Sequence, residues 1–124
     1  MTGSEQSPFD QSTFATVDRK ERIRRLNDDL RRYGRGGIVM LSAGIAALCI
    51  DEVRTILDAV RCFEDFTDDN DPYREHDLGL FRHRGERIMW KIDYFDKDRC
   101  YASSDPTNPE LTARVLTVLY ASEY

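Results

Sequence analysis

The chain has 124 residues, 40% of them hydrophobic and 33% charged, with a formal net charge of −5. That is the length of one domain with a single modest core, and its apolar runs fall far short of the ~20 residues a membrane helix needs. The acidic balance excludes the basic footprint of a typical nucleic-acid binder, and three cysteines with no C-x-x-C pair exclude a disulfide framework.

Residues 1–16 are rich in Ser, Thr, Gln and Gly and read as a flexible tail, with Phe9 and Phe14 as its large apolar groups. Residues 17–124 are then the single domain. No basic-then-apolar leader pattern occurs in residues 1–15, so a cytoplasmic location is expected. Residues 18–33 predict a helix, with Asp18 and Glu21 spaced as a capping box and Gly34 at the stop. Its apolar stripe is Ile23, Leu26, Leu30 and Tyr33, leaving Arg22, Arg24, Arg25, Arg31 and Arg32 outside.

Gly34-Arg35-Gly36-Gly37 is a turn. It is not a phosphate-binding loop, because the lysine of that motif is missing. Residues 38–41 predict a short buried strand and residues 45–48 a second one. Residues 51–64 predict a helix whose inner face is Val53, Ile56, Leu57, Val60 and Phe63, with Cys62 packed close to it as an inert thiol. Asn70, Asp71 and Pro72 make 67–77 a loop. A hairpin follows, with strands 78–83 and 86–95 and Arg84-Gly85 at the tip. One face of its second strand is Ile88, Trp90 and Ile92; the other mixes Met89, Lys91, Asp93 and Phe95. Asn108-Pro109 is a good helix start, and Leu111, Val115, Val118 and Leu119 give that last helix an apolar face. The expected fold class is α+β: a small antiparallel sheet, two short strands plus the hairpin, packed with three helices on one side.

Several of these segments carry a resemblance. Gly34-Arg35-Gly36-Gly37, Asp65-Phe66-Thr67, Asp69-Asn70-Asp71-Pro72-Tyr73, Glu75-His76-Asp77, Trp90-Lys91-Ile92-Asp93-Tyr94, Arg114-Val115-Leu116-Thr117 and the closing Ala121-Ser122-Glu123-Tyr124 resemble the signatures of an uncharacterised family. It is a domain-of-unknown-function family of small alphaproteobacterial proteins, encoded on chromosomes, plasmids and other mobile elements. The likeness spans about residues 22–124. It implies a bacterial, cytoplasmic protein and carries over no activity, cofactor or catalytic residue.

Charge is divided unevenly: residues 18–37 hold eight basic and four acidic side chains, and residues 51–77 three basic and ten acidic. Opposite poles of this kind steer charged partners. The acidic loop suggests a hard-cation site first, but the calcium-loop pattern counted from Asp69 fails, with Tyr73 and Arg74 in its fifth and sixth places and Leu80 in its last. Asp and Asn in such loops more commonly satisfy backbone donors. With His76 and His83 the sole histidines, a multi-histidine metal site is excluded, and no nucleophile-elbow motif occurs. No catalytic residue, metal or cofactor is therefore assigned.

The candidate binding residues are Asp68, Asp69, Asn70, Asp71, Tyr73, Glu75, His76 and Asp77, with Lys91 and Asp93 on the outer strand face. Exposed aromatics such as Tyr73, Tyr94 or Phe95 beside carboxylates suit a basic protein partner. The reading is a non-enzymatic interaction or regulatory protein with a protein partner, with neither nucleic acid nor membrane expected. The alternative is a small metal-assisted hydrolase using Asp69, Asp71, Glu75 and His76.

Overall fold

A computed structural model describes residues 11–124, with side chains from residue 19 onward. Its elements in order are helix α1 (Gln11–Tyr33), strand β1 (Gly37–Leu41), helices α2 (Ala43–Ala46) and α3 (Ile50–Arg61), strands β2 (Leu78–His83), β3 (Glu86–Phe95) and β4 (Ala113–Tyr120), and a closing 3₁₀ turn Ala121–Glu123. The fold is α+β, as expected: three helices and one four-stranded sheet of order β1-β4-β3-β2. The sheet is mixed rather than antiparallel, because β1 runs parallel to β4 while β4, β3 and β2 alternate.

The first part of the expected tail, residues 1–10, lies outside the described residues. Residues 11–16 belong to α1, which starts seven residues before Asp18. Capping-box spacing is also the spacing of side-chain pairs inside a helix. Glu21 uses it that way, pairing forward with Arg24 at 3.8 Å and with Arg25. The stop is where glycine sets it: Gly34 has φ +69°, and its N–H reaches the Leu30 carbonyl at 2.9 Å. The inner face of α1 is Ile23, Asn27, Leu30 and Arg31, all buried, whereas Tyr33 is exposed. Arg31 was expected outside, but its guanidinium has work at the end of α3.

Two further segments take a secondary structure other than the one expected. Residues 45–48 do not form a strand. Ser42 caps α2 by accepting the Ile45 N–H at 3.2 Å, and Glu123 fixes the cap by accepting the Ser42 hydroxyl at 2.6 Å and the Gly44 N–H at 3.1 Å. Residues 109–119 do not form a helix either. Asn108-Pro109 opens only a turn, closed by the Leu111 N–H on the Asn108 carbonyl at 3.1 Å. The Ala113–Tyr120 run becomes β4, an interior strand between β1 and β3.

The hairpin forms in the expected register, with His83 opposite Glu86 and Arg84 and Gly85 both at positive φ. That is the two-residue turn whose twist suits a hairpin. The core lies on one face of the sheet. Ile88, Trp90, Ile92, Leu116 and Val118 meet Leu30 of α1, Ile45 of α2, and Ile56, Val60 and Phe63 of and just after α3. The other face carries Met89, Lys91, Asp93, Val115, Thr117 and Leu119. β1 was expected to be buried; as the sheet edge it is largely exposed. Cys62, which ends α3 as its C-cap, is exposed rather than packed.

Candidate functional site

The loop joining α3 to β2, residues 62–77, starts from a fixed point. Nη1 of Arg31 donates to the carbonyls of Val60 at 2.9 Å, Arg61 at 3.1 Å and Phe63 at 2.9 Å. Val60 and Arg61 lie in the last turn of α3, where carbonyls lack intrahelical partners, and a cation there also suits the helix dipole. Burial lowers the Arg31 pKa, while the Asp28 carboxylate at 3.2 Å supports its charged form. The guanidinium carbon also lies 5.3 Å from the ring centres of both Phe66 and Trp90, a cation–π arrangement.

Acidic and amide side chains then shape the loop. Asn70 Oδ1 accepts the Thr67 N–H at 2.9 Å, and Asn70 Nδ2 donates to the Asp65 carbonyl at 3.1 Å. Asp71 is 5% exposed. Its Oδ1 accepts the N–H groups of Glu75 at 3.0 Å and His76 at 3.1 Å. These bonds hold a bend in which Arg74 and His76 both have left-handed backbone, φ +57° and +56°. Residues with a Cβ adopt that region at a cost, so the surrounding bonds must fix it.

The inward side of the loop is a connected polar layer. His76 stacks on Phe66 with ring centres 3.8 Å apart. Its Nδ1 is 3.0 Å from Asp28 of α1, and its Nε2 is 3.7 Å from Asp71. Tyr94 donates its hydroxyl to Glu75 Oε1 at 2.8 Å and accepts from Asn27 Nδ2 at 2.8 Å. Burial, with Glu75 beside it, pushes the Tyr94 hydroxyl far above the ordinary phenol range despite the Asn27 contact. Asn27 also donates to the Glu75 carbonyl at 3.0 Å and accepts from Arg114 Nε at 2.9 Å. Arg114 in turn donates to the Pro106 carbonyl. Each member satisfies its neighbours, the condition under which a buried polar network holds together.

The ten candidate residues therefore divide into four groups. Asn70, Asp71, Glu75 and His76 serve the loop's own architecture. Asp68, Asp69 and Tyr73 are exposed, Tyr73 at 66%. Asp68 meets Arg74 at 3.3 Å in an exposed pair, which contributes little. Lys91 and Asp93 pair with each other on the opposite sheet face. Asp77 is half-buried; burial raises its pKa, and the charges of Glu75, Asp71 and Asp93 add to the rise.

Asp69, Asp71, Glu75 and His76 are not brought together as ligands. Among the described residues no group of three or more His, Cys, Asp or Glu side chains is arranged to hold a metal ion. The cleft at the loop, about 150 Å3 and lined by Arg24, Phe66, Asp68, Asp71, Arg74 and His76, is smaller than the roughly 300–1,000 Å3 typical of small-molecule sites. A larger hollow of about 400 Å3, beside Ile38, Arg99 and Val115, shares no residue with it.

Sequence reasoning missed Asn27, Asp28 and Arg31, which α1 contributes to the base of the loop. The signal was present at Asn27, a polar residue one helical turn from both Ile23 and Leu30 on the buried face. Among the described residues no helix is long and apolar enough to cross a membrane. A family model described as a protein of unknown function (DUF3768) matches residues 41–123; α1 lies outside that span. No curated protein and no solved structure matches the chain.

Proposed function

We propose that this chain, which belongs to the DUF3768 family of proteins of unknown function, is a non-enzymatic interaction protein whose 67–77 loop docks on a basic surface of a protein partner. One observation carries the reading. The loop is fixed from beneath through Asp71, His76 and Glu75, while Asp68, Asp69 and Tyr73 face solvent. A preorganised loop loses little entropy on binding. An exposed tyrosine among carboxylates combines an aromatic anchor with charge that speeds encounter with a basic partner. The cleft beneath the loop is below the roughly 300–1,000 Å3 typical of small-molecule sites, which weighs against the hydrolase alternative. The motif resemblance adds the setting: a regulatory protein of the bacterial cytoplasm, carried on mobile elements, that inhibits a nucleic-acid-binding or defence machine by offering acidic groups in place of phosphates.

The test is affinity capture from a bacterial lysate. Wild type retains a specific basic protein, in a manner weakened by salt. Asp68→Asn/Asp69→Asn/Tyr73→Ala loses that protein with its melting temperature unchanged. Equal capture by the triple variant contradicts the proposal.

A further inference from the structure

The two edges of the sheet are not equivalent. β2, at one edge, carries the charged and exposed Arg82. β1, at the other, reads Gly-Ile-Val-Met-Leu, and its Ile38, Val39 and Met40 are 42%, 43% and 50% exposed. Sheet edges in soluble proteins are normally blunted by lysine, proline, a bulge or a covering element, because unpaired backbone groups invite another strand. β1 has no charge and no proline. Tyr33, at the end of α1 just before it, is exposed as well. Four of the nine large apolar side chains exposed among the described residues thus fall within residues 33–40.

The charges at the ends of this strand complement each other. At its start, Arg35 is exposed and lies over the Tyr33 ring, 4.6 Å from the ring centre. Among the described residues it has no carboxylate partner. At its end, the exposed carboxylate of Glu123 rests on Ser42 and Gly44. A strand that is apolar in the middle, positive before its start and negative after its end fits an inverted copy of itself.

We propose that β1 pairs antiparallel with β1 of a second copy of this chain, about a two-fold axis at Val39, joining the two four-stranded sheets into one. In that register Val39 faces Val39, and Ile38 faces Met40 of the second copy. Arg35 faces Ala43 of the second copy, one residue from both Ser42 and Gly44, where that copy's Glu123 is held. The contact is isologous, so every favourable pair occurs twice, and it closes both open edges at once. It is independent of the loop reading: the loop leads into β2 at the opposite edge, so a dimer presents two loops. One strand pair flanked by Tyr33 falls short of the roughly 1,200–2,000 Å2 of a standard stable interface, and the dimer therefore depends on concentration.

Sedimentation velocity from micromolar to millimolar protein tests the proposal. Wild type shifts from monomer to dimer. Met40→Lys stays monomeric with an unchanged melting temperature, and Arg35→Glu weakens the dimer by roughly tenfold, because the symmetric contact loses the charge pair at both of its copies. Register is read by cross-linking in a background with Cys49→Ser, Cys62→Ser and Cys100→Ser. Directly opposed Cα atoms of an antiparallel pair are about 4.5–5.5 Å apart, within disulfide reach. Val39→Cys therefore oxidises to a covalent dimer faster than Met40→Cys and much faster than Tyr101→Cys. A wild type monomeric throughout the range, a dimer that survives Met40→Lys, or Val39→Cys linking no faster than Tyr101→Cys overturns the proposal.

Discussion

At the scale of single residues, the loop shows how one residue type takes opposite roles a few positions apart. Asp71 is buried and accepts two backbone N–H groups, whereas Asp68 and Asp69 are exposed. Removing the Asp71 acceptor leaves two donors unmatched in a bend that already holds two left-handed residues. Asp71→Ala should therefore lower stability by about 2 kcal/mol, measured by urea denaturation, while Asp71→Asn, which keeps an acceptor oxygen, loses less. Asp77 behaves in the reverse sense. Its folded-state pKa is raised, by burial first and by neighbouring carboxylates second, so its ionised form costs stability. That cost is absent below the ordinary carboxylate range, where folded and unfolded states are both protonated, and is full above the raised pKa. Asp77→Asn should raise the melting temperature near roughly pH 7, with the gain vanishing toward about pH 3. The sequence supported the turn-forming role of Asn70 and Asp71, because short polar side chains in a Pro-containing loop bond their own backbone. It gave no route to Asp28 as the partner of His76, a contact that only the packing of α1 creates.

At the scale of elements, local periodicity located α3, the hairpin and the end of α1, whose stop residues and alternation act within a few positions. The same periodicity failed where position in the sheet overrides it. β4 reads Ala-Arg-Val-Leu-Thr-Val-Leu-Tyr and lacks clean alternation because it is interior, with side chains buried on both faces. An apolar run of that length has no period to separate strand from helix, and the favourable Asn108-Pro109 start tipped the reading the wrong way. α2 needed Glu123, far away in sequence, to complete its cap. Gly79 is another non-local requirement. A Cβ there would overlap the Trp90 indole, which lies directly across the hairpin pair. Because Trp90 is fully buried and cannot retreat, Gly79→Ala should cost about 1–3 kcal/mol, read as a lower denaturation midpoint.

At the scale of the whole molecule, the sequence's basic and acidic segments do not form distant poles. They are bonded to each other: Arg31 to the end of α3, Arg32 to Glu64 at 2.9 Å, Asp28 to His76 and Asn27 to Glu75. Part of the basic segment, Arg31 and Arg32, is thus engaged with the end of α3 and the start of the loop, and Asn27 and Asp28 mount the loop on α1. The charged and aromatic side chains that remain outward on residues 67–77 are Asp68, Asp69, Tyr73 and Arg74, with Arg74 paired to Asp68. The central claim is that mounting and presentation are carried by different carboxylates, and one paired comparison of partner capture and melting temperature tests it most directly. The account predicts that Asp68→Asn/Asp69→Asn keeps the melting temperature and loses the partner, while Asp71→Asn lowers the melting temperature and still captures the partner at temperatures where it is folded. A double variant that captures as well as wild type, or an Asp71→Asn protein as stable as wild type, would contradict it.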